Sequence, residues 1–374
     1  MIAAAPPIER GEAGLSAQIG IARSLCILGL VLIHVPPWHI DLGDPPRALA
    51  PFDLFFIYAQ ELFGRASVPL LSVISGYLLV RTTAQLAYAD RLRRKVRTLI
   101  VPLLLWNGLA VLLDALALGI VPADMAGWAN ALLALTGAPK IQPLYFLRDM
   151  FLCAMLYPLI ATALRRSVMI TLTILALVTV SGVAERLFIG SGPLLFFSFG
   201  VAAAQGGLPE LPAARIRPYI VVGALVMAAL STLVQVDMLE RPWSLGAGQW
   251  LFAVVLMVER ILGALLFWFA AGAFARGPWR TALIAIEGYV FFLFCSHVLW
   301  LALAWKAFER FGGSYDGSLY PVFFVTAPWS SLAAAIFGAE TLRRFSPAVA
   351  RLACGGRMPP EDGWRRIRPA RFAA

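Results

Sequence analysis

The chain has 374 residues, 60% of them hydrophobic and only 14% charged, with a mean hydropathy of +0.79. Those proportions exclude an ordinary soluble enzyme and predict an all-α protein, a polytopic transmembrane helical bundle. A formal charge of +10 would suggest nucleic acid in a soluble chain, but here the arginines sit in loops between apolar runs, so no nucleic-acid partner is expected.

A bilayer core needs about 20 apolar residues per helix, which gives about ten spans. They are expected near 17–35, 52–80, 98–121, 142–164, 167–185, 191–207, 218–236, 247–275, 282–305 and 320–342. The segment 1–16 ahead of them lacks a basic start, and the first apolar run leads into Val35-Pro36-Pro37-Trp38, so no cleaved signal peptide is expected. Loops after even-numbered spans collect cations, as in Arg91 to Arg97, Arg165-Arg166, Arg215 with Arg217, and Arg276 with Arg280. Loops after odd-numbered spans balance theirs with carboxylates, for example Arg47 with Asp41 and Asp44. This alternation predicts an even span count with both termini cytoplasmic. The chain then divides into a cytoplasmic segment 1–16, a membrane domain 17–342 and a basic cytoplasmic tail 343–374. That tail, rich in Arg, Pro and Gly, reads as a poorly ordered extension lying on anionic lipid.

Cys26, Cys153, Cys295 and Cys354 show no disulfide or metal spacing. With only His34, His39 and His297 as imidazoles, no metal site is expected.

Several polar residues lie where an apolar span should not carry them. Arg23 and His34 are eleven positions apart, hence about 20° from alignment and about 16 Å apart along one helix face. An arginine and a histidine sharing one face make a poor anchor and a good cavity wall. Glu61 and Arg65 lie one turn apart in the second span, either as a neutralised i,i+4 pair or as lining of a site. Ser75-Gly76 could let helices approach closely. Five cations between Arg91 and Arg97 serve topology. In addition, Arg94 and Arg97, three apart where the third span begins, suit a phosphorylated ligand arriving from the cytosol. The fourth span opens on Tyr145-Phe146-Leu147-Arg148-Asp149, and Glu259, Arg260 and Glu287 appear in the eighth and ninth. His297 is either a hydrogen-bonded core residue or part of a site.

These pieces resemble one family. Arg23 and His34, the run Arg65-Ala66-Ser67-Val68-Pro69 leading to Ser75-Gly76-Tyr77-Leu78-Leu79, the basic loop ending in Pro102 and Trp106, and Leu144-Tyr145-Phe146-Leu147-Arg148-Asp149 are similar to the acyltransferase-3 family of bacterial membrane O-acyltransferases, in its fucose 4-O-acetylase-like group. The resemblance covers about residues 17–342. It implies an acyl donor, usually acetyl-CoA, on the cytoplasmic side and an acceptor hydroxyl on an envelope glycan or lipid-linked saccharide, in a multi-pass protein of the cell (inner) membrane. The family's essential pair maps onto His34 and Arg23 as catalytic residues, and its basic pair onto Arg94 and Arg97 as donor-binding residues, with Arg65 beside them. Arg148, Asp149, Tyr145, Glu61 and His297 are then expected on the acceptor side. Where the family often has Trp-Phe-Leu, this chain has Tyr145-Phe146-Leu147, which keeps an aromatic.

The chemistry agrees. A thioester is already activated, so a base for the acceptor hydroxyl is the main requirement, and His34 is the choice, with a covalent acyl-histidine stage left open. Arg23 would hold phosphates or polarise the donor carbonyl. The rival class is a transporter or flippase for a lipid-linked sugar or small anion, which should show interrupted helices in two related halves. Acceptor choice is expected in the loops 38–47 and 239–248.

Overall fold

The computed structural model describes residues 7–36, 51–83, 86–190, 192–208, 213–240 and 247–357. All ten expected spans appear as apolar helices, but they are not alike. The first is α1 (Pro7–Ile33), which starts ahead of the expected boundary. The second is broken into α2 (Pro51–Ala59), a π-helical turn (Gln60–Gly64) and α3 (Ser67–Thr83). A short basic helix α4 (Tyr88–Lys95) runs through a second π-helical turn (Val96–Ile100) into α5 (Val101–Leu118), which ends on left-handed Gly119. A surface helix α6 (Met125–Leu133) precedes α7 (Tyr145–Arg166). Then come α8 (Val168–Val180), α9 (Pro193–Ala204), α10 (Ala213–Glu240), α11 (Ala247–Phe274), α12 (Arg280–Arg310), α13 (Tyr320–Phe345) and the short α14 (Pro347–Ala353).

Among the described residues eight helical stretches are long and apolar enough to cross a bilayer, so the chain is a polytopic helical membrane protein. The expected fifth and sixth spans are shorter, with 13 residues in α8 and 12 in α9. At 1.5 Å per residue each covers only about 20 Å. Ser181-Gly182 ends the first, and Pro193 and Gln205-Gly206 bound the second, so an apolar count over the whole stretch overstates the helix. The short α9 is tolerated because it lies inside the protein: Leu195, Phe196, Phe197, Gly200, Val201 and Ala202 are buried.

Helix α1 is central, packing on α3, α11, α12, α13 and the first π turn. Two glycine contacts set the spacing. A Cβ on Gly29 would overlap the carbonyl oxygen of Phe63, so α1 and the π turn meet almost backbone to backbone. Between α3 and α9, a Cβ on Gly76 would overlap the Phe197 carbonyl and one on Gly200 the Val73 carbonyl, a close crossing of the small-residue kind. Outward faces carry Leu112, Leu116, Leu159, Met169, Val226 and Phe337, as a lipid surface requires.

The segment 343–374, expected as a poorly ordered extension, is helical in its first half. Helix α13 continues to Phe345 and α14 packs back on the bundle, with the Trp106 indole Nε1–H donating to the Ala353 carbonyl at 3.1 Å. Residues 358–374 and the loop 38–47 lie outside the described residues, as does most of the loop 239–248.

Candidate active site

The basic end of the bundle encloses a cavity of about 1120 Å³. Its mouth is ringed by Arg93, Arg94, Lys95, Arg97, Arg351 and Arg357, and Arg23 lies within it. Asp90 is the one carboxylate among the lining residues. Deeper in, the wall turns apolar, with Ile27, Leu71, Phe146, Leu147, Phe197 and Phe294. Arg23 ion-pairs with Glu287 of α12, which neutralises it and fixes its direction. Ser24 supports the same contact by donating to the Leu283 carbonyl at 3.2 Å.

Beyond the cavity wall at Phe294 lie the two histidines. Phe294 stacks obliquely on His297, ring centroids 6.4 Å apart, and meets Phe146 edge-on at 6.1 Å. The His297 ring in turn lies 5.2 Å from the His34 ring. His297 Nδ1 is 2.8 Å from the Phe294 carbonyl oxygen. A carbonyl only accepts, so Nδ1 carries the hydrogen, and in the neutral ring Nε2 is left as a bare acceptor. That Nε2 is buried and has no hydrogen-bond partner among the described residues.

His34 itself sits in the turn that ends α1, its N–H bonded to the Val31 carbonyl at 3.0 Å. Pro36 stops the helix here, and Tyr320 Oη holds the turn by donating to the Pro36 carbonyl at 2.9 Å. Gln60 Nε2 donates to the Leu32 carbonyl at 3.2 Å, tying the start of the π turn to the same place.

The π turn brings a charged cluster beside His34. Arg65 Nε donates to Glu61 Oε1 at 2.8 Å, and Ser231 Oγ of α10 donates to Glu61 Oε2 at 2.8 Å. Glu61 is 3% exposed while a third of the Arg65 side chain is open. His34, Glu259 and Tyr145 lie within electrostatic range of Arg65, and Arg260 within range of Tyr145 and both carboxylates. Glu259 is buried, and neither of its oxygens has a hydrogen-bond partner among the described residues, its neighbour Ser231 being engaged by Glu61.

Of the expected donor residues, Arg94 and Arg97 line the cavity and Arg65 does not. The π turn aims Arg65 at Glu61, one turn away, on the histidine side of the bundle. Arg148 and Asp149 prove to be largely committed to the chain itself. Asp149 is fully buried and accepts from the N–H groups of Ile189 and Gly190 at 3.1 and 2.9 Å and from Arg148 at 2.9 Å. Arg148 also donates to the Leu187 carbonyl at 2.6 Å. The pair therefore pins the segment 187–190, against which the Tyr145 ring packs at Gly190. Residues to which the sequence assigned no role are Glu287, Glu259, Arg260, Arg351 and Arg357. Charge within an apolar span flagged the first three; nothing in the linear spacing flagged the last two.

Among the described residues no group of His, Cys, Asp and Glu could hold a metal ion. The fold and site thus define a multi-pass membrane protein with a cationic cavity and, beyond its wall at Phe294, two facing histidines of which His297 is buried. A model of the acyltransferase domain matches residues 16–339, and the chain belongs to the acyltransferase 3 family. That membership indicates an acyltransferase and implies an acyl donor. The chain is similar to the succinoglycan biosynthesis protein ExoH of Rhizobium meliloti (strain 1021), 30% identical over 360 residues that make up 92% of this chain and 94% of that protein. No solved structure is a significant match.

Proposed function

We propose that the protein is an O-acyltransferase of the cell (inner) membrane that moves an acyl group, with acetyl the expected one, from cytoplasmic acyl-CoA to a hydroxyl of an envelope or exported carbohydrate. The observation that carries this reading is the cavity: seven cationic side chains and one carboxylate at the basic end, grading into an apolar throat that reaches Phe294. A polyphosphate head with a long, thin acyl-bearing arm has the complementary shape and charge. Loop charge supports a cytoplasmic mouth, with ten spans and both termini inside. Reporters fused after Arg166 and after Arg280 should read cytoplasmic and one near Asp124 external; an external reading after Arg280 would overturn the sidedness.

In the reaction, the acceptor oxygen attacks the thioester carbonyl carbon, the C–S bond breaks, and the hydroxyl proton must go to a base. His34 fills that role. Arg23 lies about 16 Å away along α1, too far to touch the same carbonyl, so we assign it with Arg94 and Arg97 to the body of the donor. His297 acts through His34, behind which it is buried. Glu61, Arg65, Glu259 and Tyr145 form the acceptor side. Arg148 and Asp149 hold the rim of that side. The similarity to a succinoglycan biosynthesis protein favours a polysaccharide acceptor. The rival transporter reading draws no support from an acyltransferase-domain match.

The test is incubation of the purified protein with labelled acetyl-CoA and extracted envelope glycans. Release of free CoA thiol together with label in glycan is expected. Thiol release that never exceeds the protein-free rate, with no label in glycan, would end the proposal.

A further inference from the structure

Residues 347–357 lie beyond the stretch matched by the acyltransferase-domain model, which ends at 339, yet they complete the cavity. Arg351, Leu352, Gly355, Gly356 and Arg357 all line it. Two features hold them there. The carbonyl of Ala353, the last residue of α14, accepts from the Trp106 indole, itself buried and edge-on to Phe292 at 5.0 Å. The chain then reverses through two left-handed glycines, Gly355 at φ +57 and Gly356 at φ +78. A Cβ on Gly355 would lie 2.8 Å from the Thr98 carbonyl oxygen and 3.1 Å from the Phe291 ring, so the path demands glycine twice over, by space and by φ.

The reversal delivers Arg357. Its guanidinium sits 5.1 Å from the centre of the Phe291 ring, a cavity-wall residue. It also lies within electrostatic range of Arg23, Glu287 and Arg94. Placing a further cation among cations is unfavourable unless an anion fills the space between them.

We propose that α14 and the turn after it are part of the donor site, with Arg357, seconded by Arg351, binding phosphate of the acyl-CoA. This rests on the reading of the cavity as the acyl-CoA pocket. What composition presents as a tail is then one wall of that pocket, and its arginine fork, stacked on Phe291, is preorganised for a phosphate.

The experiment uses the full-length protein in detergent, measuring CoA binding calorimetrically and acetyl-CoA kinetics with glycan acceptor, for Arg357→Gln, Arg357→Lys, Trp106→Phe and Arg94→Ala. Arg357→Gln should raise the CoA Kd and the acetyl-CoA KM by about ten- to a hundredfold with kcat little changed, and Arg357→Lys should recover only part of the loss. Trp106→Phe, which loosens α14 without altering a lining residue, should raise the same constants in a smaller step. If Arg94→Ala weakens CoA binding while both Arg357→Gln and Trp106→Phe bind like the wild type, the role of this segment is refuted and the cavity reading stands. Should the wild type itself fail to bind CoA, the cavity reading falls and this proposal with it.

Discussion

His34 and His297 come from opposite ends of the chain and face each other at 5.2 Å between ring centroids. The His297 ring is locked: its Nδ1–H is committed to the Phe294 carbonyl, and its Nε2 is a buried acceptor with no partner among the described residues. If His34 is the base as proposed, an acceptor held beside it would favour the ring orientation that leaves a lone pair for the substrate hydroxyl, as a base needs an orienting group behind it.

For His297 the expected outcome is therefore a loss in kcat at constant donor affinity. His297→Ala should lower kcat by up to about 100-fold through misplacement of the base, and His297→Gln, which keeps an acceptor, should recover part of it. CoA binding should match the wild type in both. Were His297 only filling space, the loss would track the thermal melting temperature across the two variants, and the glutamine would give no selective recovery.

Glu61 and Arg65 lead to a stability prediction. Glu61 is nearly inaccessible and depends on Arg65 and Ser231. Arg65→Ala should leave that carboxylate uncompensated and destabilise the protein by about 3 kcal/mol, the lower end for a broken buried pair because Arg65 is one-third open. The double variant Glu61→Gln with Arg65→Gln should regain most of the melting temperature and still transfer poorly to glycan. A double variant with full activity would remove the pair from the acceptor side.

Much of the bundle was legible because apolar runs report helices directly: of the ten expected spans, eight are long and apolar enough to cross a bilayer among the described residues, and two are shorter apolar helices. The lengths of α8 and α9 were not legible, since the summed hydropathy of 167–185 and 191–207 hides the breaks at Ser181-Gly182 and before Pro193. The π turn at Gln60–Gly64 has no periodic signature either, although the i,i+4 pairing of Glu61 with Arg65 was readable. Arg23 and His34 were readable as a pair because one helix carries both. His297 could not be joined to His34, nor Arg357 to Arg23, without the packing of α12 and α14 on the rest. Arg148 and Asp149 looked like ligand groups because intramembrane charge invites that reading; the backbone at 187–190 turns out to engage them.

Gly76 makes a packing prediction independent of the chemistry. Its missing Cβ is what lets α3 lie on the Phe197 carbonyl of α9. Gly76→Val should destabilise by at least about 1–3 kcal/mol from overpacking, read as a lower melting temperature in detergent. An unchanged melting temperature would mean that the crossing of α3 and α9 is looser than described. Because Ser75 and Phe197 both line the cavity, a weaker donor affinity should accompany the loss.

The measurement closest to the central claim is acyl transfer by His34→Gln, which keeps a hydrogen-bonding side chain but no titrating nitrogen. Purified and checked for monodispersity and CoA binding, this variant should bind CoA as the wild type does and transfer labelled acetyl to glycan about 10² to 10⁴ times more slowly, the usual contribution of a general base. A stable, monodisperse His34→Gln protein that acylates glycan at the wild-type rate would contradict the account and leave His297 as the histidine to examine.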